Sequence, residues 1–537
     1  MSVIENSNVT IAHLGIVAGM IDTLGIVEYI DREIPKKRHH TVTHGEATKA
    51  LLLNGLGYVE RRLFLMPEYF EDIATERLIK EGIKPDQLNQ YVFGECLDAI
   101  AAYGPTRLFT GIALQMLSRI KMGTLRLHYD TTSINVTGEY DSGFNTRVIQ
   151  IVHGHSKDHR SDLKQFIISL VTNQHGIPLF MEPLSGNESD KKTLLRTIEE
   201  VRKNLVTDET IYHMADSALY SADNVARLGD QCFWITRIPE TIKEVQRIVR
   251  SDPDWVKCQD SRYKYATFTS SYGGISQQWV LFQSEEQYKK SLQTYEKNLE
   301  KDLQRDKTAL HKLCVKGFAC EADARMTVER WLAKHPRYNL ERLDILEKHQ
   351  RNSGKRGRPK KDEILERVYH VDVRLAFDPA VIVHEKELLG RFLLGSNDLT
   401  IDPEVMLAYY KEQSTVERGF RFIKDSRFHV SEVYLENENR IAALAMIMVL
   451  CLMVYSITEW QFRSTLNAKN TTIRDQYKKP TRKPSAKWLY FLFRRVRQID
   501  EIVDNRRVCR ILNYSSELVD IVHLLGPPVE KYYSLKN

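Results

Sequence analysis

Cysteine is sparse and scattered. The seven residues Cys96, Cys232, Cys258, Cys314, Cys320, Cys451 and Cys509 include no Cys-x-x-Cys pair. That spacing offers no zinc site, and the odd count offers no fully paired disulfide framework, so a reducing, cytoplasmic setting is expected. The stretch MSVIENSNVTIAHLGIVAGM lacks the basic n-region of a secretory signal. A dominant charge is missing too: 77 Lys+Arg stand against 71 Asp+Glu, a net charge of +6. Such a balance does not by itself point to a polyanionic partner; local patches must carry that case. Long apolar runs are lacking except for IAALAMIMVLCLMVYSI at 441–457, at the lower edge of membrane-spanning length. It is solitary and follows a highly charged stretch, so it reads as the buried helix of a large core and no membrane is expected.

What is present divides along the chain. A length of 537 residues with 42% hydrophobic content supports about two to four domains. Residues 1–118 carry helical apolar stripes in HLGIVAGMIDTLGIVEYI and GEATKALLLNGLGYV, the second with Thr43 as N-cap. Gly104-Pro105 separates two further helical runs, a corner that suits either a DNA-end-binding domain or an ordinary helix pair. Strand patterns dominate 119–240: LRLHYD, LKQFIISLVTN, IPLFMEPLSGN, TIYHMADSAL and CFWITRI, with a helix over 190–205 between the third and fourth. This is an α/β layered core. Residues 241–389 break the rhythm with a long charged helical segment and the loop NSGKRGRPKKDE, as an insertion would. The core pattern returns over 390–465, and 466–537 is a basic C-terminal region.

In LRLHYDTTSINV the alternation of Leu125, Leu127 and Tyr129 stops at Asp130, so Asp130 is expected to end its strand. A carboxylate beside so much apolar surface is costly unless something compensates it. Asp216, in YHMADSALY, also ends an apolar run before a small-residue turn. Side chains at adjacent carboxyl ends of strands converge on one crevice. Two adjacent carboxylates repel, and a divalent cation resolves that. A third acid comes from YYKEQSTVERGFRFIKD. On one continuous helix Tyr410, Gln413, Glu417, Arg421 and Lys424 share a polar stripe, while Val416, Phe420 and Ile423 form an apolar stripe for packing. Arg421 and Lys424 are placed to hold phosphates; Tyr410 suits either DNA orientation or simple packing.

Taken in order, HYDTTS, GHSKDHRSDLKQ, GNESD, MADSALY and the spaced set Tyr410, Gln413, Glu417 and Lys424 resemble the DDE transposases of bacterial insertion sequences of the cut-and-paste type. Each motif is weak alone; their common order is specific. The resemblance spans about 120–460. It implies an RNase H-like catalytic core interrupted by a large insertion between the second Asp and the Glu, with a helical N-terminal domain. It implies Asp130, Asp216 and Glu417 as catalytic and metal-holding residues, with two Mg²⁺ ions, replaceable by Mn²⁺. The expected activity is metal-dependent cleavage at element ends and strand transfer into target DNA. The expected partners are double-stranded DNA at terminal inverted repeats and target, and a second copy of the chain in the DNA complex. The expected location is the prokaryotic cytoplasm, at the nucleoid when DNA-bound. The family signature carries Arg where this chain has Gln413, and Arg421 is a candidate to compensate. An RNase H-like nuclease without strand transfer, or a DNA-binding protein without catalysis, are the alternatives.

Two basic stretches are candidate DNA contacts. Arg356 and Arg358 in KRGRPKK resemble an AT-hook, in which two arginines enter a narrow minor groove; a charged linker has the same composition. Lys478, Lys479, Arg482, Lys483 and Lys487 are interleaved with Trp488, Tyr490 and Phe491, a mixture that serves phosphate and base contacts or core packing. His153, His155 and His159 read as a polar loop, and His39, His40 and His44 as surface residues without acidic partners.

Overall fold

The computed structural model describes residues 7–36, 40–57, 65–122, 126–138, 140, 148–154, 160, 162–204, 210–229, 231–315, 317–351, 365–424, 437–503 and 506–534. The AT-hook-like Arg356 and Arg358, and also His39, His155 and His159, lie outside the described residues.

A nine-stranded sheet organises the middle of the chain. Its strands are β1 (Arg126–Val136), β2 (Lys164–Asn173), β3 (Pro178–Ser185), β4 (Tyr212–Ala215), β5 (Phe233–Arg237), β6 (Val256–Lys257), β7 (Tyr263–Ser270), β8 (Gln277–Ser284) and β9 (Arg391–Ser396). The order is β3-β2-β1-β4-β5-β9-β8-β7-β6. Strands β3, β2 and β1 pair antiparallel, β4 and β5 run parallel to β1, and β9 returns antiparallel on β5. Three strands from within 241–389 thus extend the same sheet. On one face Leu127, Tyr129, Ala215 and Trp234 are buried. The helix Asp190–Asn204 crosses the β1–β2 part of that face, with the Thr197 hydroxyl 3.2 Å from that of Ser169.

The rest of 241–389 forms an arm. Its helices Glu285–Val315 and Glu321–Lys334 pack on the ribbon Tyr338–Arg351/Leu365–Phe377 around a small core of Leu310, Cys314, Tyr338 and Leu375. The long helix is otherwise solvated, as its charge density demands, with i,i+4 pairs such as Lys289–Glu285 at 2.6 Å.

The apolar stretch lies in the helix Glu438–Ala468, and 83% of its most apolar window is buried inside the protein. It is a core helix. It packs on the helices Gln90–Tyr103 and His44–Gly55, on β3, and on the helix Ser516–Leu525. A helix apolar all round requires such enclosure. N- and C-terminal segments meet here: Ser7–Thr10 pairs antiparallel with Arg497–Val503, and the Tyr533 hydroxyl donates to the Ala12 carbonyl at 2.6 Å.

Local signals account for the N-terminal helices. Thr43 caps His44–Gly55 in a capping box with Glu46, and Gly104 at φ +101° makes the corner between Gln90–Tyr103 and Pro105–Arg119. The reading of His40 and His44 as surface residues is corrected. His44 is 7% exposed. His40 meets Glu95 at 3.0 Å, a partner 55 positions away brought near when the helix Gln90–Tyr103 docks on His44–Gly55.

Candidate active site

The sheet register brings the first two acids together. β1 pairs with β4 from Arg126↔Tyr212 to Tyr129↔Ala215, so Asp130 and Asp216 are the next residues along two parallel neighbours. Such neighbours lie about 4.8 Å apart, and alternation turns both residues away from the face of Tyr129 and Ala215. Asp130 does not end its strand, contrary to the sequence expectation. β1 continues to Val136 because β2 still pairs with it, Asp130 opposite Leu170; only β4 stops. The carboxylate therefore sits mid-strand, at the point where one neighbour leaves the sheet.

Both aspartates are locally braced. The Asp130 Oδ1 accepts from the Thr131 amide at 2.7 Å, and the Asp216 Oδ1 from the Ala218 amide at 2.9 Å. The Thr236 hydroxyl on β5 donates to the Asp216 carbonyl at 2.9 Å, tying the turn to the next strand.

Glu417 comes from the helix Ser414–Ile423, which lays Val416, Phe420 and Ile423 inward and leaves Glu417 and Arg421 outward. The single continuous helix expected from Tyr410 to Lys424 is corrected. The helix Pro403–Lys411 ends, Glu412 and Gln413 form a tight turn, and a second helix starts at Ser414. Bonds of the i+3 type, Gln413 N to Tyr410 O at 3.1 Å and Thr415 N to Glu412 O at 2.8 Å, tighten the break. Its cause is visible in the side chains. Glu412 is drawn to β1, where it accepts from Arg126 Nε at 2.7 Å and Nη2 at 3.1 Å. The Thr415 hydroxyl donates to the Glu412 carbonyl at 2.7 Å. Arg126 also lies over the Tyr409 ring, 4.5 Å from its centroid. The Glu412 carboxyl is held below its usual range; burial opposes this, and its neighbours His128 and Arg126 outweigh it. His128 Nε2 is 3.6 Å away, too long for a hydrogen bond, so the two-pronged Arg126 contact carries most of the effect.

Asp130, Asp216, Tyr410, Gln413 and Glu417 line one cavity of about 540 Å³. Arg421 and Lys424 are not among its lining residues. Arg237, Lys411, Tyr263 and Glu286 are, and sequence reasoning missed them. Arg237 ends β5 directly beside the Asp216 strand, the one signal from which it was discoverable. Burial pushes the Tyr410 phenol above its ordinary value; Arg237 pulls it down, and Asp216 and Glu417 push it up. The phenol therefore stays protonated near neutrality and is available as a donor. Among the described residues no three His, Cys, Asp or Glu side chains form a ready-made metal cluster.

Of the C-terminal candidates, Lys478, Lys479, Arg482, Lys483 and Lys487 are all exposed. Of the aromatics among them, Tyr490 is buried, stacked on His13 at 4.7 Å, and Trp488 stacks on Phe491 at 5.4 Å.

Asp130, Asp216 and Glu417 thus reach one cavity from two parallel strands and a following helix. Residues 123–454 match the transposase DDE domain, and the chain belongs to that family. Residues 6–114 match a second family described as a domain of unknown function, DUF4277. No curated protein matches the chain.

Proposed function

We propose that this transposase cleaves DNA at the ends of its element and joins the 3′-hydroxyl to target DNA, using Asp130, Asp216 and Glu417 on an RNase H-like core. The observation that carries the reading is the register placing Asp130 beside Asp216 in one cavity with Glu417. The core assignment rests on strand order β3-β2-β1-β4-β5, antiparallel then parallel, with acids after β4 and within β1. The donor set is oxygen only, which suits Mg²⁺ or Mn²⁺. Mg²⁺ takes one or two carboxylates and completes its shell with water and substrate phosphate, so a preformed cluster of three acids is not required. Two ions so held would activate water and stabilise the leaving 3′-oxygen of an in-line displacement.

The chain's own groups do the rest. Arg237, beside Asp216, and Lys411, 3.7 Å from Asp260, add positive charge to a lining that also holds Glu286, where a phosphate backbone would enter. Tyr410 donates from beside Asp216 and Glu417 and orients the strand. Gln413 starts the glutamate helix and offers an amide where the family signature has Arg, so Arg237 supplies cation character that Gln413 lacks. Arg421, Lys424, Lys478, Lys479, Arg482, Lys483 and Lys487 contact DNA outside the cavity. Holding two ends at once calls for two copies of the chain on the DNA, in the cytoplasm of a prokaryote.

The test uses linear duplexes carrying the DNA that flanks the gene on both sides. Nicking and joining that need Mg²⁺, and that vanish in each of Asp130→Ala, Asp216→Ala and Glu417→Ala while gel-shift affinity persists, support the reading. Cleavage by any of the three variants at the wild-type rate removes that residue from the site.

A further inference from the structure

Residues 469–495 hold nine Lys and Arg against a single acid, Asp475. That acid is spent on the backbone. Its Oδ1 accepts from the amides of Tyr477 and Lys479, both at 2.8 Å, closing the turn of the small hairpin Ile473–Arg474/Pro480–Thr481. The Asp475 amide donates to the Lys479 carbonyl at 2.8 Å, and Lys478 adopts φ +61°, a left-handed conformation that a side chain resists. The base of the hairpin is fastened to the helix Ala486–Phe493, where Trp488 Nε1 donates to the Arg474 carbonyl at 2.8 Å. This much fixed geometry holds up one side chain. Tyr477 is 72% exposed at the tip, and among the described residues its ring meets no other ring and no cation.

An exposed aromatic on a rigid turn, flanked by Lys478, Lys479 and Arg482, which make no ion pair among the described residues, is the pairing of features that single strands select. Each base offers a ring face, and each linkage offers a phosphate. A duplex hides its base faces, so the Tyr477 ring gains contact area chiefly on an unpaired base. The adjoining cavity of about 910 Å³ is lined by Lys469, Arg474 and Lys478 and by Glu517, Asp520 and His523 of the helix Ser516–Leu525, whose two carboxylates repel phosphate towards the lysines and arginine.

We propose that the hairpin 473–481 binds single-stranded DNA, with Tyr477 as a stacking platform for one base and Lys478, Lys479 and Arg482 on the flanking phosphates. This rests on the reading of the protein as one that acts on DNA, and adds that it grips an unpaired strand away from the acidic cavity.

The experiment titrates the full chain against a short fluorescent oligothymidylate and against a blunt duplex of equal length, over a range of salt. Tyr477→Ala weakens oligothymidylate binding by roughly tenfold, with the salt slope unchanged, because it removes stacking and no charge. Tyr477→Trp restores the affinity. Lys479→Ala with Arg482→Ala flattens the slope of log K against log[salt] by roughly 1.4, the loss of two phosphate contacts on a single strand. All are surface changes, and unaltered melting certifies the fold. An unchanged affinity of Tyr477→Ala for oligothymidylate overturns the proposal, as does an equal loss on the duplex. A wild type that binds the duplex but not oligothymidylate overturns it alone; one that binds neither overturns the DNA reading with it.

Discussion

The sheet and the helical body solve different problems. In the sheet, two carboxylates are placed by backbone register: Asp130 and Asp216 stand together because Tyr129 pairs with Ala215. Their side chains are half-buried at a cavity and make few demands on packing. In the body built from both terminal regions around Glu438–Ala468, polar groups are placed by burial. Lys49, 3% exposed, bonds to Asp22 at 2.8 Å and to the Tyr532 hydroxyl at 2.7 Å. His13, fully enclosed, reaches the Leu56 carbonyl at 2.8 Å. The difference teaches that lesions should separate: those at the sheet mouth cost reaction rate, and those in the body cost stability.

The sharpest break comes from the acids. Alanine at Asp130, Asp216 or Glu417 is expected to slow cleavage on the order of a thousandfold or more, the scale of losing a preorganised electrostatic element. Melting should barely move, and Asp130→Asn should melt slightly higher in EDTA by relieving like-charge repulsion while gaining less from added Mg²⁺. Equal Mg²⁺ responses of the variant and the wild type in thermal melts would sink the metal role of Asp130. On the other side, Lys49→Ala removes the buried partner of Asp22 and leaves it the exposed Lys531 at 2.6 Å and the Tyr532 hydroxyl, and should cost about 2 kcal/mol in denaturant unfolding. Its cleavage rate per folded molecule should stay within a few-fold of wild type; a large rate loss would erase the separation.

Acid should act on the body as well. Burial lowers the His13 pKa from 6.5 to about 4, against the opposing pull of the Leu56 carbonyl. The unfolded chain takes up its proton near pH 6.5 and the folded protein only near 4, so the unfolded state binds more protons between those values. Stability is therefore full above that window and falls as pH drops through it, by about 1.4 kcal/mol per unit. His213, lowered to about 3 by burial, and His128 and His175, lowered in the same way, add to the same fall, so His13→Gln should reduce the slope without abolishing it, and an unchanged slope would assign the titration elsewhere. The smallest effect tests the join between strand and helix. Arg126→Ala removes the two-pronged hold on Glu412 and should reduce cleavage about ten- to a hundredfold, as for outer partners that orient a ligand. The loss should appear without any change in DNA affinity.

Much of this was legible from residue order. The strands over 119–240 follow from period-two runs, the buried helix from its unbroken apolar stretch, and Asp130 and Asp216 from acids placed where two of those runs change, whereas Glu417 was reached through a helical stripe and the family resemblance. What escaped was set by partners distant in sequence. Nothing near Asp130 says that β2 stays paired six residues beyond the point where β4 departs. Nothing around Glu412 says that Arg126 will pull it out of a helix. His40 found Glu95 through the docking of two helices. The ribbon at Tyr338–Arg351 was hidden because its sequence is charged on both faces and only one face meets a core.

The pairing of Ser7–Thr10 with Arg497–Val503 has a consequence for synthesis. At ribosomal speed roughly 25–100 s pass between the making of the first strand and of its partner. For all that time the strand has only the Thr10 bonds to Asp72 and Ala74, its other edge has nothing to join, and the first helices lack the Tyr532–Tyr533 segment that seals them. A nascent chain can assemble the sheet long before it can close the body. A premature stop between residues 468 and 497 would thus leave a product with its acids in register and its opening strand still searching for an edge.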